Sequence, residues 1–118
     1  MAKDPRQILN DFRQGAVEWS KVHPECMPAF RQLSSVAMKA GALDVKTKEL
    51  IAAAIGLAVR CDYCIVHHTY EALRAGATRQ ELIETACVTT LMGGGPAITY
   101  SATLFQDSIN TFAPDFEK

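Results

Sequence analysis

The sequence predicts an all-α protein, and three observations predict it. Apolar residues recur at helical spacing, and no segment sustains the two-residue alternation of a half-buried strand. Helix start and stop residues punctuate the pattern: Gly41, Asp44, Gly76, Thr78 and the run Gly93-Gly94-Gly95-Pro96. Hydrophobic residues make up 48% of the 118, enough for a packed core and too many for a disordered chain.

About six helices follow from this punctuation. The first is expected from Pro5 to Val22, where Ile8, Leu9, Phe12, Ala16 and Trp19 recur on one face. The second runs from Cys26 or Pro28 to Ala40, with Gly41 as its C-terminal cap. Asp44 caps the third, which continues to Val59 or Arg60. From Leu50 onward that helix is apolar almost all round, so it is expected to be central and buried. The fourth starts near Cys61 and ends before Gly76. Thr78-Arg79-Gln80-Glu81 has capping-box spacing and opens the fifth. The glycine run stops the fifth, and a sixth extends from Pro96 to Asn110. That run has neither the following Gly-Lys-Ser/Thr nor the preceding strand of a phosphate loop, so it reads as a helix breaker. The tail from Pro114 to Lys118 is expected to be loose.

The length implies a single domain over 1–118. Twelve basic and 13 acidic residues leave a net charge of −1, which offers no electrostatic surface for nucleic acid or an anionic membrane. The longest apolar run, Leu50 to Val59, is too short to span a bilayer. The polar start Met1-Ala2-Lys3-Asp4-Pro5 lacks an apolar signal core, and a cytoplasmic protein is expected. In a reducing compartment a C-x-x-C pair is more often redox-active or metal-binding than a structural staple. Cys26 and Cys87 stand alone and read as small buried hydrophobes.

The chemistry concentrates in Cys61-Asp62-Tyr63-Cys64 and the histidines His67 and His68. On a helix turning about 100° per residue, Cys61, Cys64 and His68 fall within about 60° of one another, together with Ile65, Ala72 and Ala75. Tyr70 lies opposite. His67 points away and reads as a solvated or structural histidine. Cys61 sits near a helix N-terminus, where backbone N–H groups favour the thiolate over a free thiol of pKa about 8.5, and Arg60 adds a cation. His68, one turn past Cys64, can take its proton.

Glu49 breaks an apolar stretch on the face shared with Ala52, Ala53 and Gly56, whose small size permits a close helix neighbour. It can orient His68 or start proton transfer, or it can be an ordinary acidic residue in an exposed first turn. In an idealised hairpin turning near Arg60, Glu49 falls about a turn beyond His68. The residues leave three readings open. One is a redox dithiol. Another is a zinc-binding or sensing module, with Cys61, Cys64 and His68 joined by Glu49 or His67. The last is a scaffold with neither role.

Glu49, Cys61-x-x-Cys64 and His68 at this spacing resemble the AhpD-like branch of the carboxymuconolactone decarboxylase superfamily. Leu43-Asp44-x-Lys46-Thr47-Lys48-Glu49-Leu50-Ile51, Gly76-Ala77-Thr78-x-x-Glu81 and Gly93-Gly94-Gly95-Pro96-Ala97 extend the match over about Leu43 to Tyr100. The resemblance implies an AhpD-like helical bundle that assembles into a homotrimer or homohexamer, and alkylhydroperoxidase-type thiol chemistry without a cofactor. It implies that Cys64 attacks the peroxide and becomes a sulfenic acid, and that Cys61 resolves it as a disulfide. Glu49 and His68 then form the proton relay, and a dithiol donor such as a lipoyl carrier restores the thiols. Some peroxidases of the family have a histidine immediately before the second cysteine. This chain has Tyr63, a poorer base at neutral pH, which keeps general thiol–disulfide exchange beside peroxide reduction. The decarboxylase branch shares the fold but typically lacks the paired cysteines.

Overall fold

A computed structural model of the chain describes residues 4–117. They form six helices, the last of them interrupted, and no strand. α1 (Pro5–Val22) starts where expected: the Asp4 carboxylate accepts the Arg6 N–H at 3.1 Å, and Pro5 occupies the first turn, where its missing N–H costs nothing. Only its first half is buried, through Pro5, Ile8 and Leu9.

α2 (Cys26–Ala37) buries no residue at all. It ends short of Ala40, and Gly41 does not adopt a left-handed cap. The Lys48 ammonium does that work, donating to the carbonyls of Ala37 and Lys39. A cation on the last carbonyls satisfies acceptors that the helix leaves open.

α3 (Val45–Ala58) opens on Asp44, whose side chain accepts the Thr47 N–H at 2.8 Å. It buries Glu49, Ala53, Gly56 and Leu57. The expectation of burial all round is corrected here: Ile51, Ile55 and Val59 are exposed, Val59 by 63%. α3 packs mainly on α4 and α5, and its other side carries these exposed residues.

α4 (Asp62–Arg74) runs back along α3 after a reversal of three residues. Arg60 takes a left-handed backbone (φ 58°), its N–H donates to Leu57 O at 3.3 Å, and the Cys61 N–H donates to Gly56 O at 3.0 Å. These are the two bonds of a Schellman cap, with arginine where glycine usually sits. Gly76 (φ 101°) fills that place after α4, where the Ala77 N–H reaches Ala72 O at 2.9 Å.

α5 (Arg79–Gly93) carries the expected capping box between Thr78 and Glu81. Glu81 also pairs with Lys46 at 2.9 Å, joining the starts of α5 and α3. The Thr78 N–H and the Lys46 ammonium hold its carboxyl below the usual carboxylate range.

α6 (Gly95–Tyr100) continues through one π-helical stretch (Ser101–Phe105) into α7 (Gln106–Phe112). Hydroxyls of Ser101, Thr103 and Ser108 bond carbonyls four residues back, a habit that loosens regular helix.

The tail is not loose as far as Glu117; Lys118 lies outside the described residues. A 3₁₀ turn at Ala113–Asp115 leads to Phe116, whose ring meets Tyr70 at 5.3 Å. Asp115 pairs with Arg6 at 3.0 Å and Glu117 with Arg79 at 2.8 Å. One buried cluster, including Leu9, Leu57, Ile65, Leu82, Phe105 and Phe112, links α1, α3, α4, α5 and the last helix.

Candidate active site

Cys61 is the N-cap of α4, and its Sγ accepts the Cys64 backbone N–H at 3.2 Å. Cys61 and Cys64 form a disulfide with their Cα atoms 5.2 Å apart, and both are half-buried. The sulfur at the N-cap stands where free N–H groups and the helix dipole favour negative charge.

Gly56 makes the approach of α3 possible. A Cβ on it would lie 2.9 Å from Cys64 Cβ and 3.3 Å from the Cys64 carbonyl carbon. Through this small face Glu49 and His68 meet directly, Nδ1 to Oε1 at 2.7 Å. The one-turn gap of an idealised hairpin does not exist, because two helices this close let the long side chains span it. Glu49 is 8% exposed, so the reading of an ordinary solvated first-turn acid is set aside. An ionised carboxylate accepts, so His68 donates from Nδ1, and in the neutral ring Nε2 is then the acceptor.

His67 does leave the Glu49 side, but it is not solvated. Its ring lies edge-on to Phe12 at 5.5 Å and to His68 at 4.7 Å. Burial foremost, then the neighbouring His68, pushes its pKa below the ordinary value. Its Nδ1 is buried without a hydrogen-bond partner among the described residues. Tyr63 is 51% exposed, with its ring 6.4 Å from Phe12.

The structure therefore brings together two pairs, Cys61 with Cys64 and Glu49 with His68, joins their helices through Gly56, and adds Phe12, which the sequence reading did not select as a site residue. Gly56 had a local signal, as a small residue one turn after Ala52 and Ala53 on the Glu49 face. Phe12 had none, because its contact spans 55 residues of chain. Cys26 and Cys87 are both exposed, against expectation: α2 buries none of its residues, and Cys87 lies away from the buried residues of α5. Among the described residues, no group of three or more His, Cys, Asp or Glu is placed to hold a metal ion. No helix among them is long and apolar enough to cross a membrane.

The profile of the carboxymuconolactone decarboxylase family matches residues 24–107. The chain belongs to that family. A crystal structure of a carboxymuconolactone decarboxylase family protein from Legionella pneumophila superposes with a TM-score of 0.87 at 38% identity, covering 92% of this chain and 96% of that one. A family protein from Thermotoga maritima, described as a candidate for involvement in the antioxidative response, superposes with a TM-score of 0.73 at 26% identity, over 91% and 87% of the two chains. An uncharacterized Cupriavidus necator protein is 34% identical over 112 residues, 93% of this chain and 99% of its own. The carboxymuconolactone decarboxylase fold here is thus all-α, with its paired cysteines at the start of α4.

Proposed function

We propose that this protein is a thiol-dependent peroxidase of the alkylhydroperoxidase kind. The observation that carries the reading is the Glu49–His68 hydrogen bond at 2.7 Å, one turn past a cysteine pair that closes as a disulfide. The Cys64 thiolate attacks the outer oxygen of a hydroperoxide, ROOH. The O–O bond breaks, Cys64 becomes a sulfenic acid, and the leaving alkoxide takes a proton and departs as ROH. The Cys61 thiol then displaces hydroxide from the sulfenic sulfur, giving the disulfide and water. His68, held by Glu49, moves the protons. A dithiol donor, such as a lipoyl carrier, returns two electrons and two protons by exchange and leaves as its own disulfide.

The test is a thiol count on reduced protein. One equivalent of an alkyl hydroperoxide is expected to consume two thiols per chain in the wild type and none rapidly in Cys64→Ser. No peroxide-dependent loss would overturn the peroxidase reading. The exposed phenol of Tyr63 in place of a histidine favours a second reading, a general thiol–disulfide oxidoreductase. That reading expects rapid exchange of the oxidised protein with dithiols and slow reaction with every peroxide. Either activity suits a reducing compartment such as the cytoplasm, where a donor can renew the thiols. We also propose self-association, trimeric or hexameric, through apolar side chains that the single chain leaves uncovered, Ile51 and Ile55 among them.

A further inference from the structure

A groove of about 660 Å³ opens between α1 and α2, beside the candidate active site. Phe12, Met27 and Phe30 give it apolar walls, and His67 of α4 is part of its lining. Arg13 and Arg31 line it too, and no aspartate or glutamate does. Arg6, Arg74 and Arg79 each pair with a carboxylate. Arg13 instead lies over the Tyr70 ring at 5.0 Å, and neither Arg13 nor Arg31 forms an ion pair with a described residue. An apolar trough with unpaired guanidinium groups is complementary to a molecule with a hydrocarbon body and one anionic head.

The groove also connects to the sulfur chemistry. Phe12 touches His67 (5.5 Å) and Tyr63 (6.4 Å), and Tyr63 stands between the two cysteines. His67 in turn touches His68 at 4.7 Å. A ligand lying along α1 and α2 therefore abuts the aromatic lip of the dithiol turn. Neither this groove nor another hollow of about 620 Å³ between α5 and the last helix is lined by Glu49, Cys61, Cys64 or His68, but this groove alone of the two includes His67, whose ring touches His68.

We propose that this groove binds the body of an anionic apolar hydroperoxide, of the fatty-acid class. The acyl chain lies between Phe12 and Phe30, the carboxylate meets Arg31, and the hydroperoxide reaches Cys64. This rests on the peroxidase reading and specifies its substrate. The outer peroxide oxygen passes to the Cys64 sulfur, and the remainder leaves as the hydroxy acid once the alkoxide gains a proton. The dithiol donor named above closes the cycle.

Two measurements test it. Calorimetry on the oxidised protein, with decanoate below its micelle concentration and decanol as the neutral control, reads the groove without any redox step. Decanoate is expected to bind, and Arg31→Glu to weaken it by about tenfold while leaving decanol unchanged. Arg31 is exposed, so this variant retains the fold. No decanoate binding, as a second copy seated in the groove would cause, overturns the proposal. So does equal binding to the wild type and Arg31→Glu. The second measurement follows thiol loss with a ten-carbon hydroperoxy acid, its methyl ester and hydrogen peroxide. The acid is expected to react about tenfold faster than the ester, and Arg31→Glu to erase that ratio without changing the hydrogen peroxide rate. Equal rates for acid and ester overturn the substrate assignment. Charge-dependent decanoate binding with no reaction of any peroxide would uphold the groove and sink the peroxidase activity instead.

Discussion

Glu49 and His68 lie 19 residues apart and meet at 2.7 Å, and the proposed peroxidase makes the reactivity of the cysteine pair turn on that contact. With Glu49 changed to Gln the imidazole loses its anionic partner; with His68 changed to Ala the proton carrier goes. General acid–base groups of this kind contribute roughly 10²-fold or more to rate. Peroxide-dependent thiol loss is therefore expected to slow by about that factor in His68→Ala, and by a smaller one in Glu49→Gln. Stopped-flow thiol measurement reads it, and unchanged rates in both variants would mean that the pair is structural. The neighbouring His67 makes a separate prediction about acid. Burial lowers its pKa in the folded state, so the unfolded chain binds the proton more readily, starting from the ordinary value of 6.5. Its stabilising contribution is complete above pH 6.5 and is lost as pH falls through the lower folded value. Urea midpoints are expected to drop in that window for the wild type and to drop less in His67→Phe. Parallel curves would assign the loss to other groups, such as Asp44 and Glu81, whose own lowered pKa values place their effect further into acid.

Among the elements, α3 and α4 set the site, and Gly56 sets their separation. An added methyl would meet Cys64 Cβ at 2.9 Å, with backbone behind it at 3.3 Å and no flexible side-chain end to yield. Gly56→Ala is expected to cost about 1–3 kcal/mol, as overpacking does, and to slow thiol oxidation by moving Cys64 from His68. A urea midpoint at or above that of the wild type would show that the helices adjust freely. Capping residues made the starts of these elements legible, because a cap acts within three residues: Asp44 on Thr47, Thr78 with Glu81. The end of α2 was not legible. Its carbonyls are held by Lys48, eleven residues from Ala37. The tail escaped for the same reason, since Asp115 is held by Arg6, 109 residues away. The π-helical stretch at Ser101–Phe105 interrupts a run whose spacing reads as one regular helix.

The whole molecule leaves a large apolar surface uncovered. Leu33 and Val36 on α2, Ile51, Ile55 and Val59 on α3, and Leu91 and Met92 on α5 are all exposed in the single chain. Surfaces of this extent mark interaction sites in soluble proteins. Sedimentation is expected to give a species larger than 12.9 kDa, and Ile55→Glu is expected to shift it toward that mass. A wild type that already sediments as a monomer would refute self-association. The apparent central position of α3 in the sequence belongs to this scale. An all-round apolar helix announces that it will be covered, but not whether its own chain or another copy covers it.

Local interactions are what the sequence by itself determined: the all-α class, the starts of most helices, the stop of α4 before Gly76, and a cysteine at the N-terminus of α4. Each depends on backbone periodicity or on groups within a single turn. Only the tertiary structure decided that Glu49 reaches His68, that Phe12 meets His67, that Cys26 and Cys87 face outward, and that the tail is anchored. Those outcomes depend on how closely and at what angle separate helices pack, and here that distance is governed by the absence of one side chain at Gly56.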